Sequence, residues 1–410
     1  MKKFFALLLS LAMVLALVAC GQKDPTPDTP DTPDDPQTKV EYKVAMITDY
    51  GDITDQSFNQ TTYEACKAFA EDNSIEFSYF RPAGDNTADR VAMIEKAVDE
   101  GFNVIVMPGY AFGGAIVEAA PEFPDVKFIA LDVAAGDLLE TAVAKAGEAY
   151  DYTPENWDLN KYVDMSNVYC AVYQEELCGY MAGYAAVKLG YKNLGFLGGM
   201  SVPAVVRYGY GFVQGVDAAA ADLGLTDVKL NYIYGGQFFG DADITAVMDT
   251  WYQGGTEVVF ACGGGIYTSA VDAAKKVGAK VIGVDVDQAG VIAKYAGVDG
   301  MTVTSAMKGL YPATYDTLTD VIVNGNWEKY VGKIETLGLV SGTDPEANYV
   351  QIPMGDGTQW SDSFTQDDYK AMVKDMFDGK ITVSNNTSSD VSAADFATVI
   401  TVDDQGSIKG

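Results

Sequence analysis

The chain has 410 residues, with 27 Lys and Arg against 58 Asp and Glu, a net charge of −31, and no histidine. The acidic balance argues against nucleic acid and anionic lipid as partners, because nothing offsets repulsion from phosphate. The absence of histidine excludes His-based triads, His metal ligands and His general bases.

The first 40 residues have the pattern of an export signal followed by a tether. Residues 1–19 combine a basic start with a short apolar run, which predicts a signal peptide because a membrane span needs about 20 apolar residues. The ending Leu17-Val-Ala-Cys20-Gly resembles a bacterial lipobox, in which Cys20 is acylated; a chance cysteine after an ordinary signal is the alternative. Residues 20–40 are then a Pro- and Asp-rich, extended tether behind the lipid anchor.

The stretch 49–59 links a buried strand to a helix. The apolar run 44–47 predicts the strand, and apolar residues at helical spacing after residue 58 predict the helix. Ser57 and Gln60 have the spacing of a capping box, so we expect the helix to start at Ser57.

Three side chains of this stretch are candidate ligand contacts. In open α/β sheets, ligands bind beyond the carboxyl ends of strands and near helix N-termini. Asp49, Phe58 and Asn59 stand at such a place. The alternative is a loop that only makes the turn, with Phe58 folded back as a hydrophobic lid.

Apolar runs alternate with helical stretches along the rest of the chain. The predicted strands span residues 44–47, 75–80, 104–107 and 128–131, and then 168–172, 194–197, 228–234, 258–262 and 281–284. This alternation predicts βαβ units, an α/β fold and parallel sheets, and the length predicts two lobes.

The two series of strands resemble each other. In each, an apolar strand ends in glycine, a helix follows, and the next strand ends in an aspartate, which is Asp132 in the first series and Asp285 in the second. We therefore expect a duplicated, doubly wound unit and a cleft between two lobes, with these two aspartates at equivalent strand ends.

Lobe boundaries follow from the same pattern. The irregular segment 134–165 is expected to cross between lobes, and residues 385–410 form a polar C-terminal tail that is either an appended strand or partly disordered. The predicted lobes are 41–165 plus about 286–325 for lobe 1, and 166–285 plus about 326–384 for lobe 2.

Four cysteines lie beyond Cys20, and none forms a C-x-x-C pattern. Cys66, Cys170, Cys178 and Cys262 stand in apolar contexts, which predicts small buried hydrophobes. A disulfide between Cys170 and Cys178 is the alternative.

Six motifs together resemble one family. Asp55-Gln-Ser-Phe-Asn59 resembles the D-x-S-F-N signature of the basic-membrane-protein (purine nucleoside receptor) family of substrate-binding lipoproteins. Further motifs similar to that family's, in its order, are found at 174–183, 195–203, 283–288, 304–308 and 377–383. The resemblance covers about residues 42–384.

The resemblance implies a type I periplasmic-binding-protein fold with a hinge and a central cleft. It implies a lipid-anchored, extracytoplasmic and monomeric protein that is not an enzyme and delivers a nucleoside, with a purine preferred, to the permease and ATPase of an ABC importer. The implied contacts are a stacking pair of Phe58 and Tyr208, base or sugar contacts from Asn59 and Asp132, and ribose contacts from Asp285. Lys308 would either reach the same hydroxyls or balance the charge of Asp285, and the backbone at Gly263 and Gly264 would approach the sugar closely. Asp49 would exclude phosphate together with the other aspartates.

Other interpretations remain open on the sequence alone. Tyr208 is otherwise a core aromatic, and Lys308 an exposed strand-end lysine. The cleft would alternatively bind another small neutral ligand such as a sugar, belong to a sensor or adhesin, or hold the paired carboxylates of a nucleoside hydrolase. A metal at Asp49, Asp52 and Asp55 is disfavoured because their spacing does not match a calcium loop. No phosphate-binding glycine motif follows the first strand, so no nucleotide cofactor is expected.

Overall fold

The computed structural model describes residues 41–409. The predicted signal peptide, the lipobox cysteine Cys20 and the tether lie outside the described residues. Within residues 41–409, none of the helices combines the length and the apolar character that crossing a membrane requires.

Thirteen strands are found in the described part of the chain. They are β1 (Lys43–Ile47), β2 (Glu76–Phe80), β3 (Val104–Pro108), β4 (Lys127–Leu131), β5 (Val168–Tyr173), β6 (Asn193–Gly198), β7 (Lys229–Tyr234), β8 (Val258–Cys262), β9 (Lys280–Asp285), β10 (Thr302–Lys308), β11 (Ile334–Leu337), β12 (Val350–Gln351) and β13 (Thr401–Ser407).

Helices connect these strands. They are α1 (Phe58–Asn73), α2 (Thr87–Asp99), α3 (Gly113–Ala119), α4 (Ala135–Lys145), α5 (Leu159–Tyr162), α6 (Glu175–Lys188), α7 (Pro203–Asp222), α8 (Ala242–Gln253), α9 (Tyr267–Val277), α10 (Ala289–Ala296), α11 (Leu310–Leu318) and α12 (Gln366–Phe377).

The strands form two sheets, as the repeated pattern predicts. The first has the order β11-β5-β4-β3-β1-β2, and the second has the order β12-β10-β9-β8-β6-β7-β13. Strand pairs are parallel except for β10 with β12. The central strands β3 and β8 are buried along their whole length, which explains why their sequences are continuous apolar runs rather than alternating ones.

The lobe boundaries differ from those predicted. β5 pairs with β4 and β11 of the first sheet, whereas the sequence pattern places it in the second lobe. β10 pairs with β9 of the second sheet, whereas the pattern places it in the first. An apolar run predicts a strand but carries no information on which sheet it joins. By sheet membership, the first lobe is 42–173 plus 310–337, and the second is 174–309 plus 338–409.

The segment 134–165 does not cross between lobes. It opens with helix α4, continues through the short helix α5, and leads into β5 within the first lobe. The polar segment after residue 384 ends in β13, an added parallel strand beside β7, which agrees with the first of the two expectations for it.

The chain passes between the lobes three times, and the three crossings lie side by side. They fall after β5, after β10 and after β11. The backbone N–H of Gln174 donates to the carbonyl of Leu337, which joins the first crossing to the third. Tyr349 accepts from Gly309 and donates to Gly338, which joins the second crossing to the third. A narrow, hydrogen-bonded connection of this kind allows two lobes to move about a common hinge.

The four described cysteines are buried and free, as predicted. Burial raises the pKa of the Cys66 and Cys178 thiols. No disulfide joins Cys170 to Cys178. These thiols therefore act as small hydrophobic side chains of the core.

Candidate functional site

A cavity of about 400 Å³ lies between the lobes, at the carboxyl ends of the strands of both sheets. Every binding residue predicted from the sequence within residues 41–409 lines it: Asp49, Phe58, Asn59, Asp132, Tyr208, Gly263, Gly264, Asp285 and Lys308. This is the size and place at which α/β folds bind small molecules.

Asp55 caps helix α1 in place of the expected capping box. Ser57 is the N-cap residue, but its side chain makes no cap hydrogen bond. Instead, the Asp55 carboxylate accepts from the backbone N–H groups of Ser57, Asn59 and Gln60 at 2.9–3.1 Å. Burial raises the pKa of Asp55, and these hydrogen bonds oppose that rise. The capping-box prediction is wrong because Ser57 bonds elsewhere.

Asn59 is held so that it presents an acceptor. Its amide nitrogen donates to Asp49 Oδ1 at 3.2 Å and to Asp55 Oδ2 at 3.1 Å. Both partners are carboxylates, which only accept, so the orientation of the amide is fixed. The buried Asn59 Oδ1 has no hydrogen-bond partner among the described residues. Asn59 therefore offers one carbonyl-type oxygen to a donor in the cavity.

The two strand-end aspartates have matching backbone conformations. Asp132 follows β4 with φ of 60°, and Asp285 ends β9 with φ of 65°. Aspartate is one of the few non-glycine residues that tolerate this left-handed region. The shared conformation supports their equivalence in the duplicated unit, and it directs both side chains into the cavity.

Lys308 lies at the centre of a buried charge cluster. Its ammonium is 2.5 Å from Asp132, 3.5 Å from Glu175 and 3.7 Å from Asp285, and its side chain is only 4% exposed. Arg207 pairs with the same Glu175 at 2.7 Å. Lys308 is therefore a buried partner of three carboxylates rather than the exposed strand-end lysine of the alternative interpretation.

Burial and neighbouring charges shift the pKa values of this cluster in opposite directions. Burial alone would lower the pKa of Lys308, but Asp132, Asp285 and Glu175 together raise it. Burial raises the pKa of Glu175 despite its pairing with Arg207. The neighbouring Glu176 is also buried, and its pKa is raised to about 7. The lysine is thus firmly protonated, and the cluster carries no surplus of positive charge.

Asp285 accepts hydrogen bonds from both lobes. Ser57 of the first lobe donates its hydroxyl to Asp285 Oδ2 at 2.5 Å, and Tyr208 of the second lobe donates to Oδ1 at 3.2 Å. A further bond between the lobes runs from the side-chain amide of Gln288 to the carbonyl of Gln56 at 3.1 Å. Ser57 belongs to the D-x-S-F-N motif, but its spacing to Gln60 predicts a helix cap rather than this contact.

Tyr208 presents little of its ring to the cavity. The residue is 1% exposed, its hydroxyl is bonded to Asp285, and burial raises its pKa well above the ordinary value. Its ring packs edge-on against Phe260 at a centroid distance of 5.9 Å. It therefore belongs both to the cavity wall and to the core.

A further aromatic wall comes from the loop 235–241 between β7 and α8. Phe238 is partly buried and Phe239 is 54% exposed, and both line the cavity. A Cβ on Gly263 would lie 2.8 Å from the Phe238 ring, and one on Gly264 would lie 2.9 Å from its carbonyl oxygen. The two glycines therefore make room for Phe238, in addition to bordering the cavity.

Glu175 and Arg207 belong to the buried charge cluster behind the cavity, although neither is assigned a role from the sequence. The pattern contains a signal for the first, because Glu175 and Glu176 open an otherwise apolar helix, α6, and are fully or almost fully buried there. Charged side chains are rarely buried without a partner.

Within residues 41–409, no group of three or more acidic or thiol side chains is arranged to hold a metal ion.

Two lobes joined by three crossings around a central cavity define a type I periplasmic-binding-protein fold. Solved structures of ABC-transporter solute-binding proteins share it. One from Aeropyrum pernix K1 has a TM-score of 0.59 at 20% identity, covering 84% of this chain and 88% of that one. Another from Conexibacter woesei DSM 14684 has a TM-score of 0.58 at 20% identity, covering 84% and 99%.

The chain belongs to the Bmp family, described as "ABC transporter substrate-binding protein PnrA-like", whose profile matches residues 42–343. It is 26% identical to the "ABC transporter nucleoside-binding protein BmpA" of Lactococcus lactis subsp. cremoris (strain MG1363), covering 92% of this chain and 96% of that protein. It is also 26% identical to "Basic membrane protein B" of Borreliella burgdorferi, covering 76% and 83%. Membership makes it a substrate-binding protein of an ABC transporter, with a small-molecule ligand and transporter subunits as partners.

Proposed function

We propose that the cavity binds a nucleoside, with a purine preferred, for delivery to an ABC importer. The observation that carries this proposal is the layout of the cavity, in which the Phe58 ring lies beside the cluster of Asp132, Asp285 and Lys308. An aromatic face suits a base, and charged acceptors suit sugar hydroxyls. The relative from Lactococcus lactis, which is named as nucleoside-binding, supports the same ligand class.

The charges favour a neutral ligand over a nucleotide. Among the described residues, the cations that line the cavity are Lys308 and Arg81, and both are already paired with carboxylates. Asp49, Asp132 and Asp285 line the same space. A phosphate would meet these carboxylates with no free cation to offset them.

Phe58 and Phe238 form the stacking pair of this proposal. Both are only partly buried and both line the cavity, which leaves ring surface for a base. The resemblance assigns the second face to Tyr208, but the burial of that ring favours Phe238. Tyr208 instead holds the Asp285 carboxylate through its hydroxyl.

The polar ends of the ligand are assigned to acceptors. Asp285 accepts from the ribose hydroxyls, and Lys308 holds Asp132 and Asp285 in position. Asn59 Oδ1 accepts from an N–H group at the base edge, because its own N–H groups are already bonded.

We also propose that the protein is monomeric, extracytoplasmic and held at the membrane by a lipid anchor. Acylation of Cys20 and the acidic tether would hold the lobes at the membrane surface beside the permease. Mass spectrometry of the mature N-terminus tests this part, and an unmodified Cys20 would refute the lipid anchor.

Titration calorimetry with nucleosides, matching nucleotides and free ribose tests the ligand class. We expect binding of nucleosides, much weaker binding of the nucleotides and little binding of ribose. Native mass spectrometry of protein purified without added ligand should show a co-purified nucleoside. A co-purified sugar would replace the proposed ligand, and steady release of free base from nucleosides would indicate a hydrolase.

Replacing Phe58 by Ala should weaken nucleoside binding by roughly 1–3 kcal/mol, because the variant loses one stacking face. Calorimetric titration measures the change. Phe377→Ala is the matched control, since Phe377 is a half-exposed phenylalanine on α12 and does not line the cavity. Equal affinities of the Phe58→Ala variant and the control would show that Phe58 does not stack on the nucleoside.

A further inference from the structure

The segment 384–409 lies beyond the residues that the family profile matches and packs along the second lobe. Asp217 on α7 accepts hydrogen bonds from the backbone N–H groups of Thr398, Val399 and Ile400 at 2.8–3.1 Å. β13 then pairs in parallel with β7. The segment is therefore fixed at both α7 and the sheet edge before it reaches residue 408.

After β13 the segment reaches the loop 235–241, which carries Phe238 and Phe239. The backbone N–H of Ile408 donates to the carbonyl of Tyr234 at 2.8 Å. The ammonium of Lys409 donates to Gln237 Oε1 at 2.8 Å and pairs with Asp241. Lys409 thus contacts residues on both sides of the two phenylalanines.

Gln237, which Lys409 contacts, also forms hydrogen bonds within the loop. The amide of Gln237 donates to the carbonyl of Phe239 and to Asp241 Oδ2, both at 2.9 Å. Gly236, with φ of 79°, lies so close that a Cβ there would be 2.7 Å from the Cβ of Lys409. The position of Lys409 therefore restricts both the side chains and the backbone that precede Phe238.

We propose that the segment 384–409, acting through Lys409, holds the loop 235–241 in place and so sets the position of Phe238 in the ligand cavity. Lys409 is a positioning residue, because it contacts the loop and does not line the cavity. The structural part of this proposal rests on contacts alone. Its effect on nucleoside affinity rests on the proposed function.

Hydrogen exchange measured by mass spectrometry on ligand-free protein tests the structural part. In Lys409→Met, we expect faster exchange in peptides covering residues 235–241 and unchanged exchange in α12. Lys380→Met is the matched control, because Lys380 forms a comparable surface pair with Asp375 at 2.6 Å, outside the cavity. Lys409→Arg should restore slow exchange. Unchanged exchange of the loop in Lys409→Met would overturn the proposal.

Nucleoside affinity tests the functional part. Lys409 is partly exposed, so its ion pair is of the weak surface kind, and Lys409→Met should raise Kd by about two- to fivefold. In a Phe238→Ala background, the same substitution should change Kd far less, because the ring that Lys409 positions is gone. Additive effects would show that Lys409 acts elsewhere. If the unmodified protein binds no nucleoside, the proposed function fails, and hydrogen exchange still decides the role of Lys409.

Discussion

Lys308→Met is expected to destabilise the protein by about 3–5 kcal/mol near neutral pH, the cost typical of removing one partner from a buried ion pair. The variant leaves Asp132 and Asp285 without their cation, while Glu175 keeps Arg207. Chemical denaturation monitored by fluorescence gives the free energy of unfolding. Lys276→Met is the control, because Lys276 is half-exposed and pairs with Asp249 on the surface, where such a pair is worth about 0–1 kcal/mol.

The loss of unfolding free energy caused by Lys308→Met should depend on pH. The pKa of Lys308 is raised in the folded protein, so its stabilisation is complete below the pKa of the unfolded chain and is lost only as pH rises through the folded pKa. At neutral pH the full effect is therefore present in the unmodified protein. Burial raises the pKa of Glu175, and the variant removes the Lys308 charge that opposes this rise. Glu175 therefore takes up a proton more readily in acid, so the loss of unfolding free energy should be smaller at pH 5 than at pH 8. If the loss of unfolding free energy does not change with pH, it is caused mainly by lost packing of the lysine side chain rather than by its lost charge.

Asp285→Asn should weaken ribonucleoside binding by about 1.5–3 kcal/mol, the worth of a hydrogen bond to a charged group. The loss should shrink for deoxynucleosides that lack a hydroxyl contacted by Asp285. Titration calorimetry of inosine, guanosine, adenosine and their deoxy forms, with both proteins, gives this double cycle. Equal losses of binding free energy for ribo- and deoxynucleosides would show that Asp285 has a structural role and does not contact the ribose hydroxyls.

The contact of Asp285 with Ser57 requires its own control. An asparagine at position 285 also weakens the bond from the Ser57 hydroxyl, which joins the two lobes. Ser57→Ala removes that bond and leaves the carboxylate for the ligand. We therefore expect Ser57→Ala to affect ribo- and deoxynucleosides equally, whereas Asp285→Asn should distinguish them.

The repeated pattern in the sequence was sufficient to predict the sheets and the strand-end aspartates. Asp132 and Asp285 follow apolar runs at the same point of each repeat, and the geometry of parallel sheets brings such ends to one edge. The same pattern failed at the lobe boundaries, because pairing of β5 with β11 depends on residues far away in the chain. Periodicity identifies strands, but long-range contacts decide their sheet.

Local chemistry was harder to predict where two residues compete for one role. Ser57 and Gln60 match a capping box, yet Asp55 supplies the cap and Ser57 bonds to Asp285 across the cleft. Phe238 lies in a glycine-flanked loop with no helical or strand period, so the sequence gives no indication that its ring borders the cavity. Such roles depend on contacts between lobes and loops that a single sequence does not specify.

The three crossings between the lobes also constrain the order in which the protein can fold. Residues 41–173 contain five strands of the first sheet, but β11, which covers β5, is synthesised only after most of the second lobe. Until then β5 is an open edge, and open edges readily pair with strands of other chains. A chain in which β11 has not yet paired with β5 therefore exposes a strand edge, and docking of residues 334–337 closes it.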